Sequence, residues 1–245
     1  MHDGPPAIDQ AFVDAWLQEL LARLRERFGE RLVFMAHHGS WARGEAHEAS
    51  DIDAFILLDR VEEPDLEAYR EIIHSMPLAE RLASTFMGSV EELKVWPRHE
   101  QVECWYGCRA LHGNLGDLVD PPGERDLVED VRIKAAGNLH IARHYLLHPH
   151  DMTGRMRNLR YPFKECCYAL QSWLMLTTGR RCDRKADLLR ALTDADDLAV
   201  TAAAMSWRRV ADDSPATARD HAALLERWSR KMLARVAEWE AEHRG

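Results

Sequence analysis

The sequence contains no long run of apolar residues. Nowhere in its 245 residues does it approach the roughly eighteen consecutive apolar side chains that a membrane-spanning helix requires. The first residues, MHDGPPAIDQ, also lack the basic segment and the apolar segment of a secretory signal. We therefore expect a soluble, cytoplasmic protein that has no membrane among its partners.

Cysteine is scarce, and basic residues are outnumbered by acidic ones. The five cysteines are an odd number, and their spacings match neither a zinc site nor a disulfide framework, which predicts reduced thiols. They are Cys104, Cys108, Cys166, Cys167 and Cys182. The formal net charge of -9 disfavours nucleic acid as a partner, because phosphate neutralisation needs clustered Lys and Arg. An acidic cleft would instead favour a cationic partner.

Hydrophobic residues make up 46% of the chain, which is enough to bury the core of one large domain or of two modest ones. The cluster Asp120-Pro121-Pro122-Gly123 continues neither a helix nor a central strand. We therefore predict a first domain over residues 1–120 and a second over residues 124–245. The expected fold class is an α/β (α+β) domain with a mixed sheet, followed by an all-helical bundle.

Apolar periodicity gives the elements of the first half. A helix is expected over residues 9–28, ended by Gly29, and another after Pro64. Short apolar runs predict buried strands over residues 32–36 and 52–58, and two further strand candidates cover residues 91–96 and 102–107. In the second half, helices are expected over residues 124–148, 155–178, 184–193, 196–211 and 215–243.

The segment HGSWARGEAHEASDID, residues 38–53, carries the candidate chemistry. Asp51 and Asp53 are separated by one residue at the start of an apolar strand, so the two-residue period of a strand directs both carboxylates to one face. Adjacent carboxylates repel each other unless a cation lies between them, and hard oxygen ligands suit Mg²⁺. A single Asp-x-Asp is more common in turns and helix caps, so the surrounding residues decide its interpretation.

Those residues indicate a phosphate site. Gly39 and Ser40 follow the first buried strand, where a glycine lets the backbone approach a ligand and the next N–H and hydroxyl can hold phosphate oxygens. Arg43 adds a planar, permanently charged donor for the same phosphates. Together with the aspartates, these residues predict a site that binds a phosphorylated substrate and a metal ion.

The same residues resemble the nucleotidyltransferase superfamily typified by DNA polymerase beta, specifically its small bacterial branch, which includes aminoglycoside and streptomycin adenylyltransferases. The branch pattern is Gly-Ser, then Ala-Arg-Gly, then Ser-Asp-x-Asp. It occurs here as Gly39-Ser40-Trp41-Ala42-Arg43-Gly44 and Ser50-Asp51-Ile52-Asp53. The resemblance covers residues 33–58 and implies that Gly39, Ser40, Arg43 and Ser50 bind the nucleotide.

The family also has a third carboxylate on a neighbouring strand, and in members that modify small-molecule hydroxyls it can act as general base. The string Glu91-Glu92-Leu93-Lys94-Val95-Trp96 resembles the glutamate-bearing strand of streptomycin adenylyltransferases. This resemblance implies that Glu92 joins Asp51 and Asp53 as catalytic residue and metal ligand. Glu91 and Glu103 stay open as alternatives.

The activity that the resemblance implies is Mg²⁺-dependent transfer of a nucleoside monophosphate, with one or two Mg²⁺ ions and ATP or another nucleoside triphosphate as donor. The acceptor would be a hydroxyl of a small molecule, with an aminoglycoside as the expected class, and pyrophosphate would be released. The helical domain would bind the acceptor. Three matters stay open, namely a protein- or RNA-modifying enzyme of toxin–antitoxin type, a catalytically idle binding module, and a homodimer in which a neighbouring subunit completes the cleft.

Overall fold

The computed structural model describes residues 8–148, 155–207 and 214–243. The chain divides into two compact units, residues 1–121 and 122–245, and the division lies inside the Pro-Pro-Gly segment. Within the described residues, no helix has both the length and the apolar character needed to cross a membrane.

The first unit contains four strands and six helices among its described residues. In chain order they are α1 (Gln10–Phe28), β1 (Leu32–His38), α2 (Gly39–Ala42), β2 (Ile52–Leu58), α3 (Glu63–His74), α4 (Ala79–Leu82), β3 (Ala83–Ser89), α5 (Val90–Val95), α6 (Arg98–Gly107) and β4 (Arg109–His112). The predicted helix over residues 9–28 is confirmed. Asp9 caps it by accepting a hydrogen bond from the Phe12 N–H at 2.8 Å, and Gly29 ends it with a φ of 56°.

The four strands form one mixed sheet in the order β3-β2-β1-β4. Strand β2 is antiparallel to β1, with His38 opposite Asp53, and parallel to β3, with Asp53 opposite Ser84. Helices α3 and α4 return the chain from the end of β2 to the start of β3, as a parallel pair requires. The predicted strands over residues 32–36 and 52–58 are confirmed, and so is the predicted mixed-sheet fold class.

Each side of the sheet has its own core. On one side, Ile52, Ala54 and Ile56 pack with buried residues of α1 such as Leu20 and Leu24. On the other side lie Phe34, Ala36, Phe55, Leu57, Leu93 and Leu115. Since neighbours along a strand alternate between faces, Asp53 is on the same face as Phe55 and Leu57.

Two strand predictions were wrong, because residues 91–96 lie almost entirely in helix α5 and residues 102–107 lie in helix α6. Helix α5 begins with a capping box in which the Ser89 hydroxyl accepts from the Glu92 N–H and the Glu92 carboxylate accepts from the Ser89 N–H. The alternation of polar and apolar side chains at Glu92, Leu93 and Lys94 is too short to distinguish a strand from a helical turn. The capping box stabilises the helix. The third and fourth strands, β3 and β4, were not predicted.

The second unit is helical in all its described secondary structure. Its helices are α7 (Glu124–Leu147), α8 (Arg155–Thr178), α9 (Lys185–Ala191), α10 (Ala195–Ser206) and α11 (Pro215–Glu242). The five predicted helices are confirmed to within a few residues at their ends, except that residues 208–211 of the fourth lie outside the described residues. Helices α7, α8 and α11 share a core that includes Phe163 and Trp228.

An ion pair that ties α3 to the turn before β1 gives a prediction for stability. Arg31 donates to both carboxylate oxygens of Asp65, at 2.8 and 2.9 Å, and these hydrogen bonds lower the pKa of Asp65 to about 2. A carboxyl with a lowered folded-state pKa stabilises the fold above its unfolded pKa near 4, and this contribution is lost as the pH falls toward 2.

We therefore expect Asp65→Asn to lower the free energy of unfolding at pH 7 by about 1–2 kcal/mol, a value kept small because the Arg31 side chain is 34% exposed to water. The variant should also lose less stability than the parent chain between pH 4 and pH 2. Urea unfolding monitored by circular dichroism at several pH values tests this. Parallel stability curves for the two proteins would contradict it.

Candidate active site

The Asp53 carboxylate lies directly against the backbone of Gly39. A Cβ atom built on Gly39 would be 1.7 Å from Asp53 Oδ2, and the φ of Gly39 is 78°, in the left-handed region that favours glycine. The contact arises because β1 and β2 pair antiparallel, so that His38 at the end of β1 lies opposite Asp53 near the start of β2. The fold thus brings the Gly-Ser turn and the Asp-x-Asp segment together.

Asp51 precedes β2 by one residue and is exposed. The residue between the aspartates, Ile52, is fully buried on the side of the sheet that packs against α1. Strand alternation therefore places Asp51 and Asp53 on the opposite side, on one face. Both carboxylates belong to the face of the sheet beside the start of α2.

The loop between α2 and β2 carries Arg43 and Ser50. The Arg43 side chain is only 12% exposed, and its Nε is 3.6 Å from a carboxylate oxygen of Glu45. The Ser50 hydroxyl accepts a hydrogen bond from the His47 N–H at 3.0 Å, and the Ser50 N–H donates to the His47 carbonyl at 2.8 Å. Ser50 therefore closes the turn that leads into Asp51, and nucleotide binding by Ser40, Arg43 and Ser50 stays a prediction.

His37 is buried on the face opposite to the aspartates and is neutral at ordinary pH. Burial lowers the pKa of His37 to about 4, and the positive charge of Arg109 adds to the shift. Arg109 in turn donates to Asp14 of α1 at 3.1 Å. These three side chains connect β1, β4 and α1, so His37 has a structural role in the sheet.

Glu92 is not brought to the aspartates. Its carboxylate accepts from the Ser89 N–H at 2.7 Å, and Ser89 lies opposite Leu58, five residues beyond Asp53 along β2. At about 3.3 Å per residue, that position is roughly 17 Å from the Asp53 end of the strand. The expectation that Glu92 lies on a strand beside Asp51 and Asp53 is therefore corrected.

The alternatives are not on strands either, since Glu91 is an exposed residue of α5 and Glu103 lies in α6. In the part of the chain that the structure describes, no three His, Cys, Asp or Glu side chains are grouped so as to hold a metal ion. The candidate metal site therefore rests on Asp51 and Asp53 alone.

The strand next to the aspartates is β3, and sequence reasoning missed it. Its sequence, Ala83–Ser89, contains no acidic residue, and Ser84 is the residue opposite Asp53. A weak signal was present in the strand-favouring residues Thr85 and Phe86, but Gly88 and two serines lowered the strand propensity of the segment. The strand next to Asp53 therefore carries no carboxylate, whereas the resemblance implies one on a neighbouring strand.

The cap geometry predicts the outcome of Glu92→Gln. We expect the variant to keep the rate of any nucleotidyl transfer within about threefold of the parent chain, whereas loss of a general base typically costs about 10²–10⁴-fold. The free energy of unfolding should fall by about 0.5–1 kcal/mol, because a neutral amide replaces the charged acceptor of the capping box.

The matched control is Glu91→Gln, which removes an exposed carboxylate from the same helix turn. Both variants should be compared by steady-state kinetics and by thermal unfolding. A large fall in rate for Glu92→Gln alone, at unchanged stability, would restore the catalytic assignment.

Comparison with known proteins identifies the domain to which these segments belong. Residues 17–81 match the family model for a nucleotidyltransferase domain. The matched range includes the C-terminal part of α1, the segments that carry Gly39 and the two aspartates, and α3. This chain carries a nucleotidyltransferase domain. The predictions of superfamily and of enzyme class are thereby confirmed, and the match places Gly39 and Asp53 inside the domain.

A solved structure shares the fold of the nucleotidyltransferase and its helical unit. The crystal structure of spectinomycin adenyltransferase AAD(9) from Enterococcus faecialis, with ATP and spectinomycin, is similar with a TM-score of 0.52 and 10% sequence identity. The match covers 87% of this chain and 99% of that chain. No curated protein matches the sequence.

The donor set of the candidate site fits Mg²⁺. Mg²⁺ is commonly held by one or two carboxylates together with substrate phosphates and water, and it prefers hard oxygen ligands. Asp51 and Asp53 supply two such carboxylates on one face, and the absence of a side chain on Gly39 leaves the space that the Asp53 carboxylate occupies. The residues present thus suit a metal ion that arrives with a nucleoside triphosphate.

Proposed function

We propose that this nucleotidyltransferase moves AMP from ATP to a hydroxyl of a small molecule and releases pyrophosphate. The observation that carries the proposal is the contact between the Asp53 carboxylate and the Gly39 backbone. It supports the proposal because the carboxylate that would bind the metal ion lies beside the turn that would hold the phosphates. The reaction requires the carboxylate and the turn to be close enough to act on the same nucleoside triphosphate.

In this proposal Asp51 and Asp53 hold one or two Mg²⁺ ions, which would neutralise charge on the phosphate oxygens when bound. The backbone at Gly39, the hydroxyl of Ser40 and the guanidinium of Arg43 hold the terminal phosphates. Glu45, within 3.6 Å of Arg43, restricts the position of that guanidinium. Most of the rate enhancement comes from positioning and charge neutralisation, with little covalent work for the protein.

For the acceptor we propose an aminoglycoside-like molecule with several hydroxyl groups. The structural neighbour was crystallised with ATP and spectinomycin. The net charge of -9 also favours a cationic substrate over a polyanionic one. Selection of the acceptor by the helical unit, residues 122–245, remains part of the proposal.

The test is a product analysis. The purified chain is incubated with Mg²⁺, with each of the four nucleoside triphosphates in turn, and with spectinomycin or streptomycin, and the products are weighed by mass spectrometry. We expect a mass gain of one adenosine monophosphate on an acceptor, with release of pyrophosphate. EDTA should abolish the reaction.

The same assay separates the other functions. Labelled nucleotide transferred to protein or tRNA, with none on the small molecules, would indicate the protein- or RNA-modifying class. Absence of transfer to any small molecule, protein or tRNA in the presence of Mg²⁺ would indicate a catalytically idle binding module and overturn the proposal.

A further inference from the structure

The surface of β3 beside Asp53 is aromatic. Phe86 lies opposite Phe55 in the parallel pair, and the two rings stack with centroids 5.6 Å apart and planes 17° apart. Trp96, which follows α5, contacts both rings, with its ring centroid 5.4 Å from that of Phe86 and 6.1 Å from that of Phe55. Phe86 nevertheless keeps 43% of its surface exposed. An exposed ring of this size on the face that carries Asp53 needs an explanation.

Gly88 leaves room for the Phe86 ring. A Cβ atom on Gly88 would come within 2.9 Å of Phe86 Cε1, although Gly88 is itself buried. Phe55 and Trp96 hold the ring from other directions. Phe86 is therefore fixed in place while part of its surface stays open, which is the geometry of a stacking platform.

The order of the strands determines which substrate reaches this platform. Strand β1, with the Gly39-Ser40 turn at its end, lies on one side of β2, and β3 lies on the other. An in-line displacement at phosphorus has its entering and leaving oxygens on opposite sides of the phosphorus atom. If pyrophosphate leaves toward the Gly39 side, the acceptor hydroxyl must enter from the β3 side.

We infer that Phe86, supported by Trp96, is a specificity-determining residue that stacks against a ring of the acceptor; this inference rests on the proposed function. Ser84 lies opposite Asp53, and Phe86 is two residues further along β3, about 7 Å away. The acceptor is therefore a ring-bearing molecule whose reactive hydroxyl is about 7 Å or more from the ring that stacks. Because β3 has no acidic residue, the contact at this strand is made by the ring face of Phe86 and not by a carboxylate of the strand.

Ligand-observed NMR tests the inference without knowledge of the natural acceptor. Saturation transfer is measured on the full chain with Mg²⁺ and a non-hydrolysable ATP analogue, using spectinomycin, streptomycin, adenosine and the acyclic polyol sorbitol as probes. We expect at least one ring compound to bind and sorbitol not to bind. Phe86→Ala should weaken the binding of that compound about tenfold, by loss of the stacked ring.

Two further variants control for changes in the fold. Phe86→Leu keeps an apolar side chain without a ring and should weaken binding in the same direction. Val95→Ala removes an exposed apolar side chain, 81% exposed, from the residue before Trp96 and should leave binding unchanged. Equal binding by the parent chain and both Phe86 variants overturns the inference, as does the binding of sorbitol or of no ring compound.

Failure of this inference is distinguishable from failure of the proposed function. The ATP analogue is titrated separately into the parent chain, Phe86→Ala and Asp53→Asn. The inference requires the Phe86 variant to bind the analogue as the parent does. Loss of analogue binding by the parent, or its retention at full strength by Asp53→Asn with Mg²⁺ present, counts against the nucleotidyl-transfer site and not against the platform.

Discussion

Asp53→Asn is expected to lower the rate of nucleotidyl transfer by about 10³-fold or more, because it deletes the charge of a proposed metal ligand while keeping the size of the side chain. The residual rate should need a higher Mg²⁺ concentration to reach its maximum, since the lost ligand charge also weakens binding of the ion. Stability should change little, because Asp53 is only half-buried at the edge of the core. Initial rates of pyrophosphate release across a Mg²⁺ titration measure the effect.

The control for this variant is Asp59→Asn, which removes a carboxylate from just beyond the other end of β2. Asp59 is half-exposed and accepts from Arg31 at 3.1 Å, so a small loss of stability and no loss of rate are expected. Full activity of Asp53→Asn would show that the aspartate pair is not the metal site. An equal loss in both variants would show that charge at the sheet, and not the position of Asp53, sets the rate.

Gly39→Ala is expected to lower the rate of transfer strongly without replacing either aspartate. The new methyl group would come within 1.7 Å of Asp53 Oδ2, so the carboxylate must move away from the turn. The φ of 78° adds strain of about 1–2 kcal/mol for any residue with a Cβ atom. We expect a rate loss comparable to that of Asp53→Asn, together with a lower melting temperature.

Gly29→Ala distinguishes the effect of backbone strain from the effect of displacing the Asp53 carboxylate. Gly29 has a φ of 56°, and no atom lies within 4 Å of the position of its added Cβ. This variant should therefore show the backbone strain alone, with a lowered melting temperature and an unchanged transfer rate. If Gly39→Ala behaved in the same way as Gly29→Ala, the close contact between Gly39 and Asp53 would have no part in catalysis.

The local elements of the chain could be predicted because their signals are local. Helix α1 is recognised from its apolar periodicity and from Asp9 and Gly29 at its ends, and strand β2 from the apolar run 52–58. Each of these patterns involves only residues that are close together in the sequence. The same holds for the five helices of the second unit. Glu92 could not be placed in this way, because a six-residue alternating segment fits either a strand or a capped helix turn, and the Ser89 hydroxyl decides between them.

The sequence by itself determined which residues form the candidate site. Their types and spacing match one family pattern within fifteen residues, and they are Gly39, Ser40, Arg43, Asp51 and Asp53. Only the tertiary structure decided what lies beside them. The pairing of β2 with β3 is a contact between segments about thirty residues apart, and it puts Ser84 opposite Asp53 and Phe86 two residues further along. Glu92, which was expected on a strand beside the aspartates, lies in helix α5. Register between distant strands depends on packing and on the crossover helices, so no local pattern in the sequence could reveal it.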